Sequence, residues 1–193
     1  MESGILILAA GNSSRLGEPK QLLNFKGKSL LRHVSEESLK ISKSVVIVTG
    51  SNHSEISNEI KDLEIVITEN INWNEGMGSS IHIGFKKLLK SFPEIVNCIV
   101  SVCDQPFISA SVFSELIKMQ KDSQKGMVAS KYADTLGTPV LFTNKYFQDL
   151  SNLSGQEGAK KLLRKYKGDI AAIHFENGAI DIDTQEDYKK LNQ

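Results

Sequence analysis

Short apolar runs rich in Ile and Val alternate with amphipathic stretches along the whole chain, and this alternation restricts the fold more than any other feature. The runs at 5–10, 45–49, 64–68 and 98–103 lack a polar face, so they predict strands buried on both sides. Between them, 30–41, 54–61, 79–90 and 110–121 predict helices. Leu30, Leu31, Val34 and Ile41 share one helical face, as do Ile81, Phe85, Leu88 and Leu89. Strands at 127–130 and 139–142 and a helix at 157–166 follow. Ser154 with Glu157, and Thr184 with Asp187, are spaced as capping boxes, the second a weaker variant because Asp is shorter than Glu. The stretch 179–182 predicts a last strand leading into the second box. Such an order implies a mostly parallel sheet covered by helices on both faces, an α/β/α sandwich of three layers. Ligands of such sheets bind outside the carboxyl ends of the strands. A chain of 193 residues without repeats or long linkers is expected to form one domain.

Twenty-three basic residues balance 23 acidic ones. No overall field draws nucleic acid or an anionic membrane, and an anion site must come from a particular loop. The run at 5–10 is far too short to span a bilayer, and no basic segment precedes it as an export signal requires. Cys98 and Cys103 have neither metal-ligand nor CxxC spacing, so a reducing cytoplasm is the expected compartment. His33, His53, His82 and His174 form no ligand spacing either. The Lys-rich stretches 86–90 and 160–167 lack interleaved aromatics and read as solvated helix faces.

The loop that carries an anion site follows the first strand, from Leu8 to Lys20. Gly11 permits a turn that a side chain would obstruct. The small polar residues Asn12, Ser13 and Ser14 let successive backbone N–H groups converge on an anion. Arg15 offers a planar fork for phosphate oxygens and Lys20 a mobile point charge. A plain βα turn would account for the glycine and serines, but two cations beside it suit a triphosphate. The spacing is not that of a Walker A loop, and the dinucleotide fingerprint GxGxxG is absent. A second candidate, Asp104, ends the run 98–103 at the ligand face, and Pro106 stops the strand just beyond it. A carboxylate beside a triphosphate calls for an intervening divalent cation, most simply Mg²⁺. Taken alone, Asp104 could equally start a turn. Gly76 and Gly78 allow close approach to a ligand, and Ser79 and Ser80 add hydroxyls at a helix start. There Trp73 reads as a packing residue.

The pattern LAAGxSxRxGxxKxLL resembles the signature of the MobA-like nucleotidyltransferases, which have a GT-A-like, Rossmann-like fold with a mostly parallel mixed sheet. Ala9-Ala10-Gly11 is similar to the molybdenum cofactor cytidylyltransferase branch, where the guanylyl branch has Ala-Gly-Gly. Further segments match: Cys103-Asp104-Gln105-Pro106, the stretch from Asn70 to Ser80, and Asp181-Ile182-Asp183-Thr184 with Gln185 replacing a proline. The resemblance implies that Leu8, Ala9, Ala10, Gly11, Asn12, Ser13, Ser14, Arg15, Lys20, Gly76, Gly78, Ser79, Ser80 and Asp104 bind the nucleotide. It implies Arg15, Lys20 and Asp104 as catalytic residues and Asp104 with Asp183 as Mg²⁺ ligands, while Asp183 with Thr184 could instead only cap the final helix. The implied reaction moves CMP from CTP to the terminal phosphate of a pterin cofactor and releases pyrophosphate, with an apo molybdenum hydroxylase as a possible recipient. Two departures, Gly137-Thr138-Pro139 for Gly-His-Pro and Gly155-Gln156-Glu157-Gly158-Ala159 for Gly-Asp-x-Gly-Ala, fall where the acceptor is expected. Transfer to a sugar phosphate or polyol phosphate is therefore a neighbouring expectation. A non-catalytic, cofactor-binding accessory protein is a third, which the metal ligands argue against.

Overall fold

Every residue from Ser3 to Ala9 is buried, as a run without a polar face requires. The computed structural model describes residues 2–14 and 16–191. Along them run β1 (Ser3–Ala9), β2 (Asn24–Phe25), β3 (Lys28–Ser29), α1 (Leu30–Leu39), β4 (Val45–Thr49), α2 (His53–Glu59), β5 (Val66–Glu69) and α3 (Met77–Ser91). There follow β6 (Asn97–Val102), α4 (Ala110–Ser123), β7 (Met127–Tyr132), β8 (Thr135–Thr143), α5 (Phe147–Ser151), α6 (Ala159–Lys165), β9 (Ile170–His174) and α7 (Gln185–Leu191).

Seven strands form one sheet in the order β5-β4-β1-β6-β8-β7-β9. β1 pairs in parallel with β4 and β6, and β4 with β5. β8 lies antiparallel to both β6 and β7, while β9 is parallel to β7. Only β8 therefore runs against the others, and the mixed, mostly parallel sheet expected from the sequence is present. The period of two along β1 sends Leu6 and Leu8 to one face and Ile5 and Ile7 to the other. Leu6 and Leu8 pack with Ile81, Phe85, Leu150 and Leu162 of α3, α5 and α6. Ile5 and Ile7 pack with Leu31, Val34, Ile56, Phe113 and Leu116 of α1, α2 and α4. Burial of each such side chain contributes roughly 1.5–3 kcal/mol. Gly84 lets α3 lie directly on the sheet, since an added Cβ would overlap Val48 Cγ2 and come 2.5 Å from Leu6 Cδ1.

A third, smaller cluster joins Leu16, Leu23, Phe25, Leu30 and Ile182. It anchors the loop after β1 and the segment before α7 on the same apolar patch, and so sets the distance between Lys20 and Asp183.

Two expectations need correction. Residues 179–182 form no strand. Glu176–Ala179 is a 3-10 turn, and Ile180 is 44% exposed while Ile182 is buried. One buried side chain does not support a ladder; the backbone contact made there is Ile182 N donating to Asp104 O at 3.1 Å. The Ser154/Glu157 box does not form, because α6 begins at Ala159 behind Gly158, with no side-chain cap. Gly158 is tight against Met77, and Glu157 instead pairs with Arg164 at 3.2 Å. β9 and the β2–β3 hairpin were not expected. By contrast, the Thr184/Asp187 box is present: Asp187 Oδ2 accepts from Thr184 N at 2.9 Å, and Asp187 N donates to Thr184 Oγ1 at 3.2 Å.

Candidate active site

The carboxyl ends of β1 and β6 lie side by side, and the chain leaves both into loops that face each other. After β1 the backbone turns at Gly11 and passes Ser13 in the left-handed region at φ 51°. Ser13 O accepts from Leu16 N at 2.9 Å, and Ser13 Oγ accepts from Lys20 N at 3.0 Å. These bonds close the loop and return Lys20 to the mouth of β1. After β6, Cys103 points into the core and Asp104 into the cleft.

Lys20 is the hub of the charged groups. Its Nζ donates to Asp104 Oδ2 at 2.6 Å and to Asp183 Oδ1 at 3.0 Å. Burial works against its charge, but the Asp104 carboxylate, helped by Asp183, outweighs burial and holds the Lys20 pKa above the ordinary lysine value. Asp181 sits behind this pair, and its carboxyl is raised by burial and then by the charges of Asp104 and Asp183. Burial and the neighbouring Asp104 push the Cys103 thiol up to about 12, so it stays protonated and inert. Asp183 is not at a strand end, as its sequence suggested. It follows the extended segment that Ile182 pins to Asp104.

Asp104 is also where two cavities meet. One, of about 490 Å³, is walled by Leu8, Ala9, Ala10, Gly11, Lys20, Trp73, Gly76 and Ser80. The other, of about 430 Å³, is walled by Gln105, Tyr132, Thr138, Lys160, Arg164 and Asp181. Met77, Val102, Asp104 and Gln156 line both. A smaller recess of about 190 Å³ runs along Gly11, Asn12, Ser13 and Ser14 to Lys20 and Asp183.

Most of the residues singled out in the sequence therefore converge. Gly78 and Ser79 line neither cavity. A Cβ on Gly78 would come 2.5 Å from Ser154 O, and Ser79 Oγ donates to Gly76 O at 2.8 Å while accepting from Asn70 Nδ2 at 2.9 Å. Gly78 packs the start of α3 against the 154–156 loop, and Ser79 ties it to Asn70. Arg15 lies outside the described residues. Trp73, read as packing, has one side against the core and the other in the first cavity. Gln156 lies in a segment expected to border the acceptor and lines both cavities. Gln21 was not foreseen; its only signal was an amide directly before the apolar Leu22 and Leu23.

Among the described residues no group of three or more His, Cys, Asp or Glu is placed to hold a metal on its own. The donor set at Lys20 does fit a hard divalent cation completed by phosphate oxygens. Asp104 and Asp183 supply two carboxylates, the oxygen ligands such a cation takes. No helix among the described residues is long and apolar enough to cross a membrane.

Comparison with known proteins gives the family and the fold. The family model of the MobA-like NTP transferase domain matches residues 5–170. Molybdenum cofactor cytidylyltransferase of Escherichia coli (strain K12) is 22% identical over 95% of this chain and 92% of its own length. Nicotine blue oxidoreductase of Paenarthrobacter nicotinovorans is 27% identical over 96% of this chain and 94% of its own. The crystal structure of Rv0371c from Mycobacterium tuberculosis H37Rv superposes with a TM-score of 0.81 at 23% identity, covering 99% of this chain and 97% of that one.

Proposed function

The chain belongs to the MobA-like NTP transferase domain family, and from that premise we propose that it transfers CMP from CTP to the terminal phosphate of a pterin cofactor. An oxygen of the acceptor phosphate attacks the α-phosphorus, the bond from that phosphorus to the β-bridging oxygen breaks, and pyrophosphate leaves. The attacking oxygen is already anionic, so no strong general base is needed. Catalysis rests on alignment and on neutralising charge.

The observation that carries this reading is the position of Asp104 on the boundary between two cavities. A nucleotide in the first, against the glycine loop and Lys20, and an acceptor in the second would meet at that carboxylate. Lys20 offsets charge on the triphosphate and on the departing pyrophosphate, and Arg15 is proposed for the same task. Asp104 and Asp183 would hold Mg²⁺, which supplies charge neutralisation on phosphate oxygens when bound. The Escherichia coli relative supports the choice of CTP and the pterin acceptor, and an apo molybdenum hydroxylase is the proposed recipient of the product. A competition assay tests the base: preferential turnover of GTP over CTP would overturn the cytidylyl assignment.

A second acceptor reading has a specific observation behind it. Thr138 and Gln156, the departures in the two segments expected at the acceptor, both line the second cavity. Transfer to a sugar phosphate or polyol phosphate keeps the same chemistry on the nucleotide side. A screen of pterin, sugar and polyol phosphates, read by pyrophosphate release, separates the two.

A further inference from the structure

Gln21 takes no part in the steps above, yet it lies buried against the glycine loop and lines the first cavity. Its Nε2 donates to Ala9 O at 2.8 Å and to Gly11 O at 2.9 Å. Both partners are carbonyl oxygens, so the amide must present its nitrogen to them. Its Oε1 is then buried without a hydrogen-bond partner among the described residues. An orphaned buried acceptor is destabilising, and a Met or Leu of similar size would not incur that cost. The amide is therefore explained by what its nitrogen does.

In a trans peptide the C=O and N–H of one unit point in opposite directions. Drawing the Ala9 and Gly11 carbonyls toward Gln21 turns the N–H groups that share those units, of Ala10 and Asn12, to the other side of the loop. Lys20 N, bonded to Ser13 Oγ at 3.0 Å, ties the same turn one residue earlier in the chain. Among the described residues the Asn12 N–H donates to no other group of the protein. Ala9 is held in the sheet by its pairing with Thr49, but the Gly11 carbonyl, left with only the 3.5 Å bond from Ser51 Oγ among the described residues, could swing toward the cleft, where it would repel a phosphate.

We propose that Gln21 is a positioning residue for nucleotide binding: it holds the loop with its carbonyls turned inward and its N–H dipoles turned toward the triphosphate. The inference rests on the nucleotide reading of the site. The test is calorimetric titration of Mg²⁺-CTP and of inorganic tripolyphosphate into wild type and Gln21→Met, with melting of the unliganded proteins alongside. Both ligands should weaken in parallel by at least about tenfold, since a misplacement of ~1 Å can cost on the order of 100-fold, while the unliganded melting temperature holds. A purely structural role would move the melting temperature and spare the affinity of the folded variant. Wild-type affinity in folded Gln21→Met would overturn the proposal. Should that variant fail to fold, amide NMR of the wild type decides: tripolyphosphate should shift the Asn12 resonance, and an unmoved resonance at saturation would overturn it. A wild-type protein that binds no nucleoside triphosphate would remove the nucleotide reading, and this inference with it.

Discussion

The ammonium of Lys20 lies 2.6 Å from Asp104 Oδ2, so the cation of the glycine loop and the acid just after β6 form one ion pair. Asp183 joins it from the segment before α7. Lys20 thus occupies the space between the two carboxylates assigned to a divalent cation. Lys20→Met should raise the affinity of the nucleotide-free protein for Mn²⁺, because two carboxylates then face each other with no ammonium from Lys20 between them. The same substitution should weaken Mg²⁺-CTP by roughly tenfold or more, the loss of a charge-assisted contact of about 1.5–3 kcal/mol. Calorimetry with metal alone and with metal and nucleotide together reads both changes. Changes of the same sign would contradict the assignment.

Trp73 is the single tryptophan of the chain, and it lines the cavity formed with Gly11 and Lys20. Its emission should change saturably as Mg²⁺-CTP is added. Binding seen by calorimetry without a change in emission would place the nucleotide elsewhere.

Gly84 sits where α3 meets β1 and β4, with no room for a Cβ between Val48 and Leu6. Gly84→Ala should destabilise the protein by about 1–3 kcal/mol through overpacking, despite the better helix propensity of Ala. Denaturant unfolding measures this, and a gain in stability would refute the close approach.

Asp169 accepts from Lys145 Nζ at 2.8 Å, Tyr146 Oη at 2.6 Å and Gly126 N at 3.1 Å. These donors, Lys145 first, hold its carboxyl well below the usual aspartate range. A carboxyl depressed on folding stabilises above its unfolded pKa of about 3.9, and that contribution is lost as pH falls through the lower folded value. Asp169→Asn should therefore cost about 2 kcal/mol at neutral pH. The gap from wild type should narrow as pH falls below about 4. A gap that stays constant in acid would show that the ionised form is not what stabilises.

The layers of the fold were legible because Ile5–Ala9 and Val45–Thr49 are apolar on both faces, a pattern that few environments other than a covered parallel sheet satisfy. β9 was not legible: in Ile170-Ala-Ala-Ile-His174 two small alanines carry little apolar signal, and pairing with β7 supplies the order. Ile180 and Ile182 alternate with acids as a strand would, but only Ile182 finds a core to enter. The chemistry was easier to read than its geometry. Lys20 and Asp104 stand out by type and setting, whereas their contact joins residues 84 apart in sequence and depends on the sheet order. Gln21 left almost no trace, because its role is a pair of bonds to backbone carbonyls that any sequence would possess.

The central claim, nucleotidyl transfer at Asp104, is tested most directly with CTP labelled at the α-phosphate. Wild-type protein with Mg²⁺ and a molybdopterin-type acceptor should move the label into the acceptor with one pyrophosphate released per transfer. Asp104→Ala should transfer at least roughly 100-fold more slowly, the scale seen when a group stabilising transition-state charge is removed. Equal rates in the two proteins would contradict the account.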